Sequence, residues 1–585
     1  MKYFLSVILF CSALPASTLY VNTEGSDSNT GSLNQPFKTI QKAADKAQPG
    51  DTVIVFPGIY RERISPARGG KINQPIKYIS STPHGAIIRG SNPWKPQWQK
   101  LADRIYKGKL TDDMFKDMSM KDGPNPFKIP FSSTPYGRDG KPEFDRKYPQ
   151  SNPDLSYNLG QVFVDDECYT QEPIESKMKS TPKSWRYENG EIYINFPDDS
   201  PNKHQVEITT QRRLFAPHQR QLEYIIIEGF VFERCSNQYP TNFWQSEYPE
   251  WQQAGMVGTR SGRYWTIKNN IIRFASAVGI DLGNEGDNMS DLEKGENGQA
   301  AGSKGHHVEN NIISDNGAAG TASYLGTHLV IRNNSVERNN RMKFTGKKRW
   351  ESAGIKLHGP SFSIVEGNLV RNNYGTWGIW FDEGAGKETR VVGNICVNHG
   401  VGIDFEVGSA AKAVVEKNIL INNDTGIRTR ESGGLNIQKN LILGSKVCGI
   451  QFSLDRKRDG KWSAAHCNLY QNIIISKQGL LLKLTAPDQL RSEDKKLDSN
   501  FYDAGPSEKR FCFDSGEPIN FNEWKKSWKG YNGEINSDTN SQLINGCSFQ
   551  FDESKLTLEL TLSFDPQEKS LPGLKKGTQK VILSQ

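Results

Sequence analysis

Five phrases of one form, Gly354-Ile355-Lys356-Leu357-His358, Gly378-Ile379-Trp380-Phe381-Asp382, Gly402-Ile403-Asp404-Phe405-Glu406, Gly426-Ile427-Arg428-Thr429-Arg430 and Gly449-Ile450-Gln451-Phe452-Ser453, follow one another at spacings of 24, 24, 24 and 23 residues. Looser copies begin at Gly255, Gly279, Gly320 and Gly479, and the longer gaps fall on polar, Gly-rich stretches such as Asn288 to Ser303 that read as loop insertions. A column of asparagines keeps the same beat: Asn270, Asn311, Asn334, Asn368, Asn394, Asn418, Asn440 and Asn472. Self-similarity at a fixed short period is the mark of a solenoid. A unit of this length is too short for a βαβ crossover and lacks a helical apolar period, yet it accommodates three short strands joined by turns. The fold read from it is all-β, a right-handed parallel β-helix. Strand alternation points Ile355, Leu357, Ile379, Phe381, Ile403 and Phe405 inward, and the asparagines read as a structural amide ladder at a turn.

The rest of the chain is consistent with that frame. At 585 residues it is too long for one compact core, so the architecture is elongated or multidomain. Lys plus Arg number 73 against 66 Asp plus Glu, without a long basic run, which gives no support for nucleic acid as a partner. Past the amino terminus no apolar run approaches a membrane span. Residues 1–17 read as a signal peptide, with Lys2 as the basic start, Phe4 to Leu14 as the apolar segment and Ala13 to Ser17 as small residues for cleavage, so the expected location is periplasmic or extracellular. Cys11 leaves with it, and the seven widely spaced cysteines that remain predict at most one or two bridges, or none. Residues 18–93 read as an amino-terminal cap and first coils, with a helix over Thr39 to Ala47. Residues 94–215, where the phrases vanish and an Asn189-Gly190 hairpin signal appears, read as an inserted β-rich domain. Residues 216–485 form the main β-helix and 486–585 its last coils and cap.

Stacking the phrases sets Tyr324, His358, Asp382, Glu406, Arg430, Ser453 and Lys483 in one outward column, and Lys356, Trp380, Asp404, Arg428 and Gln451 in a parallel column on the same face. A solvated β-surface would show Thr, Ser, Asn and isolated charges, whereas this face gathers carboxylates, cations, a His and an outward Trp within four coils. Adjacent parallel strands lie about 4.8 Å apart, so Asp382 and Glu406 present carboxyl groups about 5 Å from each other. Retaining glycosidases hold their two carboxyls at roughly 5 to 5.5 Å, and inverting ones farther apart. Trp380 offers a platform for a sugar ring unless it is buried, and His358, Lys356, Asp404, Arg428 and Arg430 are candidate substrate contacts. The clustered cations predict an anionic substrate unless they balance Glu383, Asp404 and Glu431. From electrostatics alone, Arg430 keeps Glu406 ionised and Asp382 becomes the acid.

The run Glu351-Ser352-Ala353-Gly354-Ile355-Lys356-Leu357-His358, then Gly378-Ile379-Trp380-Phe381-Asp382, then Phe405-Glu406-Val407, resembles the corresponding coils of the β-helical β-xylosidases of glycoside hydrolase family 120. So does the order of parts, a pectate-lyase-like helix interrupted early by a β-domain and followed by Ala254-Gly255-Met256-Val257-Gly258-Thr259. The resemblance implies a retaining hydrolase of plant or algal polysaccharide or its oligosaccharides, with Asp382 as nucleophile and Glu406 as acid/base. It implies no required cofactor, a structural calcium being compatible with it. Two other classes stay open: a calcium-dependent polysaccharide lyase using Asp382, Asp404 and Glu406 as metal ligands and Arg430 or Lys356 as base, and a non-catalytic carbohydrate-binding solenoid.

Overall fold

The structure is a computed structural model and describes residues 16–115, 125–129, 157–237, 255–284, 302–343, 351–382, 386–453, 467–484, 497–507, 509–513, 516–532, 538, 540–566 and 573–583, excluding the side chains of 409–411 and 528–532. The residues up to Pro15, where the sequence reads as a signal peptide, most of the Asn288 to Ser303 stretch and Glu383 lie outside the described residues.

The 24-residue unit is one turn of a three-faced parallel β-helix. A representative turn runs through strands Trp377–Asp382, Arg390–Val392 and Ile395–Val397 and returns at Val401. Ile355, Ile379, Ile403, Ile427 and Ile450 stack in register from coil to coil. All five are fully buried, and Phe381 stacks on Phe405 with ring centroids 4.5 Å apart. Burial of each such side chain contributes about 1.5–3 kcal/mol, so the repeated apolar pair of the phrase is the main source of cohesion. The glycine that opens each phrase is required by close approach: a Cβ on Gly378 would sit 2.6 Å from the Gly402 carbonyl oxygen, and one on Gly402 would sit 2.7 Å from that of Gly426.

Two of the looser copies are out of step. Lys483 pairs with Gln451 rather than lying under Ser453, so it belongs to the Lys356 column. The reason is that Gly479 is a corner residue, with its N–H donated to Ser445 O at 3.2 Å, and the strand begins one residue later at Leu480. Similarly Gly255 pairs with Val278, one residue before Gly279.

The asparagine column forms a continuous buried ladder from Asn270 to Asn500. Asn394 donates both its N–H and its Nδ2 to Asn418 Oδ1, at 2.9 and 3.0 Å, and Asn418 does the same to Asn440 at 3.0 and 2.9 Å. Each ladder residue follows one at positive φ, from Asn333 at 54° to Gly393 at 64°. For a residue with a Cβ that conformation costs roughly 1–2 kcal/mol, which the ladder hydrogen bonds offset. A second ladder, unrecognised in the sequence, occupies the next corner through Asn316, Asn339, Asn373, His399 and Asn423. His399 accepts from Asn373 and donates to Asn423 Oδ1, and burial lowers its pKa to about 4, so it sits in the ladder as a neutral ring.

The amino-terminal helix spans Ile40–Lys46 with Thr39 as its cap. Between the first and later coils, the strands Gln99–Ala102, Ile105–Lys109, Ser184–Glu188 and Glu191–Asn195 build a β-sheet whose Glu188–Glu191 turn places Asn189 and Gly190 at positive φ. This region has its own core around Phe127, Trp185 and Phe196. Its Ile129 and Leu159 pack on Ala277, Ala319 and Ala322, so it abuts the face that carries the outward columns. The last coils end at Gln542–Ile544, beside a three-stranded antiparallel sheet from Ser548 to Ile582. The seven cysteines described are all free thiols.

Replacing Asn418 by Ala or by Asp removes the donors to Val391 O and Asn440 Oδ1 from a site with no solvent access. Unfolding in urea should show a loss of about 2–4 kcal/mol for either variant. An unchanged midpoint would mean the ladder is incidental.

Candidate active site

The strands Ala353–His358, Trp377–Asp382, Val401–Glu416 and Thr425–Gln438 lie side by side, and their alternation sends one side chain in two away from the core. His358, Asp382, Glu406 and Arg430 are successive register partners, as are Lys356, Trp380, Asp404 and Arg428. These outward-pointing groups are nevertheless enclosed: Lys356 is 1 % exposed, Asp382 6 %, Asp404 0 % and Glu406 4 %. A cluster of buried charges survives only when each is paired, and here the pairing divides into two halves.

The first half is built on Asp382. Lys356 Nζ lies 2.5 Å from Asp382 Oδ2 and 3.2 Å from Glu351 Oε2. His358 Nε2 lies 2.9 Å from Glu351 Oε2 and 3.5 Å from Asp382 Oδ2. Burial alone would raise the pKa of Asp382, but Lys356 and His358 outweigh it and hold the carboxyl down, at about 2. Burial would likewise lower His358, and the charge of Glu351 raises it instead.

The second half is built on Asp404. Trp377 Nε1 donates to Asp404 Oδ2 at 2.8 Å, Arg428 donates to its two oxygens at 3.1 and 2.8 Å, and Arg430 Nη2 donates to Oδ2 at 2.9 Å. The same Arg430 nitrogen also reaches Glu406 Oε2. Arg430 is thus shared between Glu406 and Asp404. Burial and then the charge of Asp382 push Glu406 up to about 7, against the pull of Arg430.

This corrects the expectation, drawn from electrostatics alone, that Arg430 keeps Glu406 ionised and leaves Asp382 as the acid. That expectation omitted Lys356, which reaches one coil onward to Asp382, and Asp404, which competes for Arg430. Of the pair, Asp382 is the carboxyl held down and Glu406 the one pushed up.

Two further expectations change. Trp380 is only 4 % exposed, with Trp377 stacked on it at 4.2 Å and Lys356 Nζ 3.0 Å from its ring centroid. Contacts that close cannot share one face of the ring, so neither face is open as a platform. Among the described residues, the ring packs with its coil neighbours Ala353, Trp377 and Val401. The cations Lys356, Arg428 and Arg430 are engaged with Glu351, Asp382, Asp404 and Glu406. The premise for an anionic substrate is thereby removed.

Two residues of the site were missed as such. Glu351 precedes its strand at a φ of 63° and turns a fully buried carboxylate back over Lys356 and His358. Trp377 supplies the indole N–H to Asp404, and its place directly before the phrase glycine was the available signal. Ligand-type atoms of Glu351, His358 and Asp382 lie within 4.8 Å of one another, the pattern of a metal site. Lys356 Nζ lies within salt-bridge distance of both carboxylates, so the group already carries a cation.

The family model described as a right-handed beta helix region matches residues 255–423, and one described as a protein of unknown function (DUF1565) matches 23–66. An uncharacterized protein, YwoF, of Bacillus subtilis (strain 168) is 31 % identical over 88 residues, and the match spans 15 % of this chain and 19 % of that protein. Among solved structures, the complex of XylC with xylose superposes with a TM-score of 0.71 at 19 % identity, covering 96 % of this chain and 99 % of that one. A structure described as a glycoside hydrolase gives 0.50 at 12 % identity, covering 75 % and 94 %. These likenesses show a shared right-handed parallel β-helix, which with XylC extends over nearly the whole chain.

Because the pKa of Glu406 is raised on folding, the stability it contributes is present below its unfolded value and is lost as pH rises through about 7. Thermal unfolding of the wild type should therefore drop between pH 5 and pH 8 more than that of Glu406→Gln. Equal drops in the two proteins would contradict the protonated assignment.

Proposed function

We propose that the protein is an exported retaining glycoside hydrolase, β-xylosidase-like, that acts on a neutral oligosaccharide or polysaccharide. The observation that carries this reading is that two register neighbours are shifted in opposite directions, Asp382 held down at about 2 and Glu406 pushed up to about 7. Adjacent parallel coils are about 4.8 Å apart, close to the roughly 5–5.5 Å of retaining carboxylate pairs. The full-length likeness to XylC agrees with the reading, and export rests on the amino-terminal sequence.

In the first step an oxygen of Asp382 attacks the anomeric carbon while the bond to the leaving-group oxygen breaks, and Glu406 gives that oxygen its proton. In the second, Glu406, now a carboxylate, takes a proton from water as the water oxygen displaces Asp382 from the anomeric carbon. Both groups return to their starting states. The surroundings suit sugar hydroxyls. Among the described residues, Trp380 Nε1, Arg430 Nε and Glu351 Oε1 are buried without hydrogen-bond partners, two donors and one acceptor beside the pair. Leaving such atoms unpaired costs about 1–3 kcal/mol each, a cost that a bound hydroxyl removes.

The calcium-dependent lyase has less to rest on, because oxygens of Asp382 and Asp404 that would bind calcium already bind Lys356, Arg428 and Arg430. Calcium elsewhere is structural in this reading, so chelation should leave most activity in place.

On aryl xylosides, NMR of the first-formed sugar should show the retained anomer, and activity should fall as pH rises above about 7. An inverted anomer there, or an unsaturated, ultraviolet-absorbing product from a uronate-containing polysaccharide, would exclude the mechanism. Asp382→Asn should lose turnover by orders of magnitude with every leaving group. Glu406→Gln should lose about 10²–10⁴-fold on an alkyl leaving group and far less on dinitrophenolate, which needs no proton. Equal losses on both leaving groups would remove Glu406 from the acid role.

A further inference from the structure

We propose that Asp404 contacts no substrate and is a positioning residue, which divides Arg430 between two carboxylates and so keeps Glu406 able to carry the proton the reaction needs. The inference rests on the hydrolase reading and adds to it the device that sets the acid.

Asp404 is fully enclosed, and its oxygens are occupied by four donors: Trp377 Nε1, Arg428 Nε, Arg428 Nη2 and Arg430 Nη2. Both its oxygens already accept hydrogen bonds, which separates it from Glu351, whose equally enclosed Oε1 is unpartnered among the described residues. The substrate-binding role expected of Asp404 from its column has no free atom to act through.

The geometry explains how a residue that contacts no sugar can govern one that does. Arg430 uses a single nitrogen, Nη2, for both Asp404 Oδ2 and Glu406 Oε2. A guanidinium given wholly to Glu406 would fix it as a carboxylate. With Asp404 sharing that nitrogen, and with its own negative charge nearby, Glu406 is not held ionised. Among the described residues, the charged groups that act most on Glu406 are Asp382 from the preceding coil, Asp404 on its own strand, Arg430 from the following coil and Lys356 two coils back, with Arg428 acting through Asp404. Asp382 and Asp404 raise its pKa, and Arg430 and Lys356 lower it.

Substitutions of Asp404 and of its partner Arg428 predict shifts of opposite sign. Asp404→Asn removes a negative charge and releases Arg430 to Glu406, so the basic limb of the kcat/KM profile should move down by about one pH unit. Arg428→Gln leaves Asp404 leaning harder on Arg430 and removes a cation, so the limb should move up. Arg428 is partly exposed, and its variant is the one better placed to fold should the buried Asp404→Asn substitution be poorly tolerated. The basic limb is read with an aryl xyloside, and the pH dependence of thermal unfolding is read on the same proteins without substrate.

Opposite shifts in both readouts support the proposal. Active, folded variants whose basic limbs stay at the wild-type position, or move in the same direction, overturn it. A wild-type protein without glycosidase activity fails the functional reading instead. The unfolding data then still decide whether Asp404 sets the protonation of Glu406.

Discussion

Everything at the site follows from one spacing, the roughly 4.8 Å between neighbouring parallel strands. Because Ile355, Ile379, Ile403 and Ile427 are stacked in strict register by the core, the residues three positions on are stacked as well. His358, Asp382, Glu406 and Arg430 are therefore brought together without any loop having to fold correctly. The two asparagine ladders fix the corners between strands, and the phrase glycines let one coil's backbone approach the next. A register slip of one residue would turn Asp382 into the core and Phe381 out.

Within that geometry, the chemical difference between two carboxyls one coil apart is made by their neighbours. Lys356, wedged between Glu351 and Asp382, gives one carboxyl a cation at 2.5 Å. Arg430, which reaches the other carboxyl, is shared with Asp404. Identical chemistry in the pair is shifted in opposite directions because Lys356 and His358 hold one carboxyl down, while burial and the charge of Asp382 push the other up. The buried charges are expensive to desolvate, and their mutual pairing offsets that expense. Removing any single partner should therefore disturb more than its own contact.

The periodic part of this was legible in the sequence. The 24-residue phrase gave the coil, its inward apolar residues, the asparagine ladder and the outward columns, because each depends on spacing alone. Register was misjudged only where the phrase degenerates, at Gly255 and at Gly479, where a glycine serves a corner or sits one place early. The charges could be placed in columns but their partners could not. Whether the long side chain of Lys356 turns to Asp382, or that of Arg430 to Asp404, depends on rotamers and enclosure that spacing does not encode. For the same reason simple electrostatics misjudged which carboxyl is held down, Asp382, and which is pushed up, Glu406. The second ladder was missed because His399 breaks its run of asparagines.

The central claim, that Asp382 is the ionised member of the pair and forms a bond to the sugar, is tested most directly by trapping. Dinitrophenyl 2-deoxy-2-fluoro-xyloside has a leaving group that departs without an acid and a fluorine that slows the second step, so the glycosyl-enzyme should accumulate. Peptide mass spectrometry is expected to find one fluoroxylosyl group per protein, on the peptide containing Asp382 and lost in Asp382→Asn. A label on Glu406, or steady release of dinitrophenolate with no covalent adduct at any time, would contradict it.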